Sequence, residues 1–136
     1  MIHPFKSYIG IEFLENLNNL GLEIKEKFDE NLKFLREENP NFIPDFTDET
    51  KIELVCGDFL ISDWKEASFV FANSTCFSAD LMQGLSKKAQ ELPVGAVFVT
   101  FTKRLPMLAE NFEVNSGFRR LMSWGIATVY VHRKMS

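Results

Sequence analysis

Glycine-rich loops, metal-ligand spacings and nucleophile elbows are all missing from this chain of 136 residues, and each absence removes a class of chemistry. No Gly-x-Gly-x-x-Gly occurs, so the phosphate-cradling turn of a nicotinamide-binding domain is lacking. Two cysteines, Cys56 and Cys76, are too few for a disulfide scaffold and form no Cys-x-x-Cys pair, so free thiols are expected. The histidines, His3 and His132, stand near opposite ends of the chain, and no metal site is predicted. With no Gly-x-Ser-x-Gly elbow, a Ser-His-Asp hydrolase is poorly supported. No apolar run reaches the roughly 18 residues of a membrane-spanning helix, and the opening Met-Ile-His-Pro-Phe lacks the features of a secretory signal. The expected setting is intracellular, in cytoplasm or nucleus, with no membrane partner.

What is present is a core and a charge asymmetry. Hydrophobic residues make up 46% of the chain and 14 residues are Phe, which suits one globular domain over residues 1–136. The net charge of −4 divides unevenly: residues 1–85 carry 7 Lys/Arg against 16 Asp/Glu, whereas residues 86–136 carry 8 against 3. Lys103-Arg104, Arg119-Arg120 and Arg133-Lys134 therefore give the second part a basic character that suits nucleic acid, a nucleosome or an acidic protein. Their arrangement in pairs also suits ordinary solubilising charge.

Periodicity orders the elements. Tyr8 to Ile11 reads as a short strand ending at Glu12, and Leu14, Leu17, Leu20, Ile24, Phe28, Leu32 and Leu35 recur at helical spacing, predicting an amphipathic helix over Phe13–Arg36 with its apolar face inward. Asn39-Pro40 ends it, and the stretch to Thr50 reads as an exposed loop. Strands are predicted at Ile52–Cys56, Phe69–Ala72 and Ala96–Phe101, with a Ser78-capped helix before the last of these. Two more strands follow, one within Phe112–Met122 and one across Ile126–His132, joined by a short connection at Trp124-Gly125. This order implies an α/β fold, a Rossmann-like, mostly parallel sheet of about six strands with an antiparallel hairpin at one edge.

In such a sheet ligands bind beyond the carboxyl ends of the strands. Glu12, Asp58 and Asn73 each follow an apolar run directly and could converge there. A carboxylate in that place accepts hydrogen bonds from ribose hydroxyls. Taken singly, Glu12 also reads as an acid at a helix N-terminus, Asp58 as a turn residue after Gly57, and Asn73 as an Asx-turn former. Trp64, Phe77 and Trp124 could contact a cationic acceptor, and core packing is the expectation for Trp124.

Together, Tyr8-Ile9-Gly10-Ile11-Glu12, Val55-Cys56-Gly57-Asp58-Phe59-Leu60 and Val70-Phe71-Ala72-Asn73-Ser74-Thr75-Cys76-Phe77 resemble the class I S-adenosylmethionine methyltransferases. They look most like the nucleosomal histone-lysine methyltransferases of the disruptor-of-telomeric-silencing type. That resemblance implies S-adenosylmethionine as cofactor, with Glu12 on the ribose, Asp58 on the adenine amino group and Phe59 against the ring. It implies Asn73 at the methyl-transfer site and a protein lysine as acceptor. Asn73 with the Ser74 and Thr75 hydroxyls would then orient the acceptor, because methyl transfer from a sulfonium is an in-line displacement that depends on positioning.

The chain departs from the family at two points. Where relatives carry two successive Asn, this chain has Asn73-Ser74. The family's first strand and its Gly-rich loop should precede Tyr8, and 7 residues stand there, so an N-terminally truncated domain is expected. A non-catalytic binding or assembly module is the alternative. Removing a central strand would leave two rows of backbone groups unpaired, at about 1–3 kcal/mol for each orphan. Either a second copy of the chain covers those edges, as a homo-oligomer, or the edges pair with each other into a closed six-stranded sheet.

Overall fold

A computed structural model of the chain describes residues 5–39, 50–106 and 111–136. The predicted loop from Pro40 lies almost entirely outside the described residues, as does His3. The chain divides into two compact units, Met1–Ser62 and Asp63–Ser136.

The first unit is a β-α-β element. Strand β1 (Ser7–Glu12) leads into helix α1 (Glu15–Glu38), and strand β2 (Lys51–Cys56) returns parallel to β1 with Ser7 opposite Lys51 and Glu12 opposite Cys56. Leu54 of β2 fits into a space cleared by two glycines. A Cβ at Gly10 on the neighbouring strand would stand 2.8 Å from one Leu54 methyl, and one at Gly21 on α1 would stand 3.2 Å from the other. Bare backbone at both positions lets helix and strands close on this side chain.

Helix α1 forms where its period predicts it, but its apolar stripe is not a core stripe. Leu14, Leu17, Leu20, Ile24 and Leu35 remain between 45% and 58% exposed. The physical reason is width: two strands about 5 Å apart are narrower than a helix about 10 Å across, so they cover only part of its apolar face. The one buried α1 residue is Asn18, whose Oδ1 has no hydrogen-bond partner among the described residues.

The second unit is a five-stranded mixed sheet with one helix. Strand β3 (Phe69–Ala72) and strand β4 (Val97–Phe101) are parallel, with Phe69 opposite Val97 and Ala72 opposite Thr100. Between them lies helix α2 (Ala79–Ala89), whose N-cap Ser78 accepts a hydrogen bond from the Leu81 N–H at 3.2 Å, as its sequence predicts. Strand β5 (Phe112–Val114), strand β6 (Phe118–Met122) and strand β7 (Gly125–Lys134) complete the sheet. β7 runs antiparallel to β4 on one side and to β5 and β6 on the other. Met82, Leu85 and Ala89 of α2 are buried with Phe98, Leu105 and Phe112, and together they form the core of this unit.

Two sequence expectations change. The single strand expected within Phe112–Met122 is two, broken at Gly117, whose φ of +81° lies in the left-handed region. A Cβ there would stand 2.7 Å from Tyr130 Cε1, so this site needs glycine on both counts. The expected sheet of about six strands is, among the described residues, seven strands: a β1-β2 ladder in the first unit, and β3-β4-β7 with β5 and β6 in the second. The α/β class, the parallel strands and the antiparallel hairpin at the edge stand as expected.

Candidate functional site

In the first unit the parallel register brings Glu12 and Asp58 to the same end of one sheet. Glu12 closes β1, and its carbonyl accepts a hydrogen bond from the Gly57 N–H at 2.9 Å, one residue before Asp58. Each carboxylate has one oxygen engaged locally. Glu12 Oε1 accepts from the Leu14 N–H at 2.8 Å, ahead of α1, and Asp58 Oδ1 accepts from the Leu60 N–H at 2.8 Å in an Asx turn. The Asp58 carbonyl also accepts from the Ser62 N–H and the Ser62 hydroxyl, at 2.9 and 2.7 Å, which fixes the turn that carries half-buried Phe59. Asp58 is thus the turn residue that its place after Gly57 suggests, whereas Glu12 bonds the N-cap residue Leu14 and leaves the first-turn acid of α1 to Glu15; both bonds pre-orient a carboxylate.

In the second unit the carboxyl ends of β3 and β4 lie side by side. Asn73 is exposed at the end of β3, and its Oδ1 accepts from the Thr75 hydroxyl at 3.1 Å. Ser74 is fully buried; its hydroxyl donates to the Phe101 carbonyl at 2.7 Å and accepts from the Phe101 N–H at 3.2 Å. With its one proton so committed, Ser74 fixes the loop against β4, and Asn73 and Thr75 are the groups this loop presents.

Reasoning from sequence missed Thr102, the residue after β4. Its φ of +65° is rare for a β-branched side chain, and its hydroxyl lies 3.2 Å from that of Thr75. Two hydrogen bonds hold this geometry: the Thr102 N–H donates to the Thr128 carbonyl at 2.7 Å, and the Thr100 hydroxyl donates to the Lys103 carbonyl at 2.7 Å. The Lys103 ammonium donates to the Phe77 carbonyl and ties this loop to the one after β3. Threonine is among the residues least expected at positive φ, so nothing in the sequence marks Thr102.

His132, near the end of the chain, is fully buried beneath the loop after β4. Nε2 accepts from the Leu105 N–H at 3.2 Å, so Nδ1 carries the proton and donates to the Phe98 carbonyl at 3.0 Å. Burial lowers its pKa below the ordinary 6.5, the Phe98 carbonyl opposes that shift, and the charge of Arg104 adds to it. Trp124, expected in the core, is 58% exposed because it sits in the connection between β6 and β7. Trp64 packs edge-on to Phe98 at 6.0 Å, with the Lys88 ammonium 5.9 Å from its ring. Among the described residues, no group of three or more His, Cys, Asp or Glu could hold a metal, and no helix is long and apolar enough to cross a membrane.

No family model matches the sequence, and no curated protein matches it. Solved structures do. A candidate methylase from Haemophilus influenzae matches with a TM-score of 0.58 at 16% identity, over 96% of this chain and 74% of its own length. A candidate methyltransferase from Escherichia coli matches with a TM-score of 0.53 at 14% identity, over 94% of this chain. The chain thus spans about three quarters of the first protein and 63% of the second. At these identities the likeness concerns backbone architecture, and the chain has the Rossmann-like α/β fold that these proteins share.

Proposed function

We propose that this chain is an S-adenosylmethionine-dependent methyltransferase domain. The observation that carries the reading is the pair Glu12 and Asp58 at the carboxyl ends of adjacent parallel strands, each pre-oriented by a backbone N–H. Both neighbours named for methyl transfer share the fold in which such a pair would serve a nucleoside.

The residues present fit the nucleoside half of the cofactor. Two acceptor carboxylates suit ribose hydroxyls and an adenine amino group, and half-buried Phe59 beside Asp58 offers an apolar surface for a ring. The methionine half has no Gly-rich backbone cradle in this sequence. The bound cofactor supplies an activated methyl on sulfonium, which moves by in-line displacement. The resemblance assigns the acceptor amine to Asn73 and Thr75, which Ser74 and Thr102 hold in place within the second unit. A protein lysine is the acceptor that the Asn73 segment suggests by its resemblance to the histone-lysine enzymes.

Calorimetry with S-adenosylmethionine and the 136-residue chain tests this reading. Affinity is expected to be weaker than micromolar, because the cradle for the methionine half is lacking. Glu12→Ala and Asp58→Ala are each expected to weaken it at least fivefold, as loss of a hydrogen bond to a charged group worth about 1.5–3 kcal/mol does. Unchanged affinity in both variants places the cofactor elsewhere. The second reading, a binding or assembly module without catalysis, predicts no heat of binding at any concentration.

A further inference from the structure

The β6–β7 hairpin reaches beyond the sheet. β4 pairs with β7 over Val129–Arg133, and the Thr102 N–H reaches the Thr128 carbonyl, so within β7 Gly125 to Ala127 are paired with β6 alone among the described residues. The result is a two-stranded ribbon. Strand alternation places Arg119 and Leu121 on one face with Ile126 and Thr128, and Phe118, Arg120 and Met122 on the other with Ala127 and Val129. Leu121 is 83% exposed, Ile126 68% and Trp124 at the turn 58%. From Val114 to Ser136 the chain has no acidic residue and four basic ones. Lys134 is buried against Gln90 and Phe112, so the arginines carry the outward charge. The Arg120 guanidinium is ordered over the Phe118 ring at 4.6 Å.

We propose that this ribbon docks single-stranded nucleic acid, with the Trp124 indole stacking on a base and Arg119 and Arg120 pairing with phosphates. An exposed aromatic ring at the turn of a ribbon that carries an arginine on each face is a combination that unpaired bases and their backbone recognise, and it tolerates any sequence because every base has a π-face. An acidic protein would pair with the arginines but leaves the exposed Trp124 ring without the flat partner that a base offers. The inference is independent of methyl transfer, since stacking and phosphate pairing need no cofactor.

The test is fluorescence anisotropy of a labelled oligouridylate of about 12 nucleotides, within the usual site size for a single strand, against the full chain without cofactor. Binding is expected at low salt and to weaken steeply as salt rises. Trp124→Ala is expected to weaken it about tenfold, the effect of losing one stacked base, whereas Trp124→Phe keeps a stacking ring and stays near the native value. Replacing both arginines by alanine is expected to flatten the log–log salt slope by about 1.4, or about 0.7 for each phosphate left without its arginine. Absence of binding at low salt overturns the proposal, as does binding that neither change affects. An equal loss in Trp124→Ala and Trp124→Phe also overturns it. So does a self-association that these changes abolish while oligonucleotide binding persists, because it would assign the ribbon to a protein contact.

Discussion

His132 couples stability to pH through a single proton. Its folded pKa is depressed by burial, so as pH falls the unfolded chain takes up this proton first. Stability is therefore complete above the ordinary value of 6.5 and declines as pH drops below it toward the folded pKa. Protonating Nε2 would also set two donors, that nitrogen and the Leu105 N–H, against each other. The expected outcome is a thermal midpoint that falls between about pH 7.5 and pH 5.5 and a flatter profile in His132→Gln, measured by circular dichroism. The exposed carboxylate of Asp63 does not interfere in that window. Its pKa is lowered from 3.8 mainly by the Lys65 N–H and then by the Lys65 side chain, so its contribution is lost only in more acidic solution. A midpoint that does not change across the window would contradict the hydrogen-bond assignment. None of this is visible in sequence, because the burial of a histidine near a chain end depends on which loop folds over it.

At the scale of elements, much of the fold is legible and the exceptions have local causes. Phe69–Ala72 is a strand as read because its four residues are apolar and Asn73 ends the run, and Ser78 caps α2 because its side chain reaches the Leu81 N–H. The break at Gly117 is marked in the sequence by Asn115-Ser116-Gly117, a cluster of turn-forming residues that outweighs the apolar residues on either side. The burial of α1 is not legible: periodicity defines a face, and only the number of strands beneath it decides how much of that face is covered. Of the candidate site, the strand-end positions of Glu12, Asp58 and Asn73 follow from where apolar runs stop. The strained Thr102 does not, because a backbone outlier has no compositional mark. Gly117→Ala tests the break. A left-handed backbone costs a side-chain-bearing residue about 1–2 kcal/mol, and the close approach of Tyr130 adds to it. A fall in denaturation midpoint of several degrees is expected, and a midpoint equal to the native one would place Gly117 in ordinary strand geometry.

For the molecule as a whole, the decisive feature is two sheets, one in each unit, whose end strands β1 and β3 each have a single ladder partner among the described residues. The described residues give β1 a ladder partner in β2 alone and β3 one in β4 alone. Neither strand has the devices that usually protect an edge. β3 is Phe-Val-Phe-Ala, with no charge, proline or bulge, and β1 has its one charge at its last residue, Glu12. Apolar side chains on them stay about half exposed: Ile9 is 56% exposed, and Phe71, which packs edge-on to Phe101, is 54% exposed. Open, uncharged, apolar edges recruit another strand, and in a purified solution the strand available comes from a second copy of the chain. Size-exclusion chromatography with light scattering is therefore expected to show a mass that rises from monomer toward dimer with concentration. Phe71→Lys, which puts a charge on the exposed edge without entering the core of its unit, is expected to shift that equilibrium toward monomer while the far-ultraviolet circular dichroism stays native. A native chain that remains monomeric at every concentration would mean that these edges are protected by something other than pairing. The same mass in the native chain and in Phe71→Lys would place the contact away from β3, leaving the edge of β1 as the next to test.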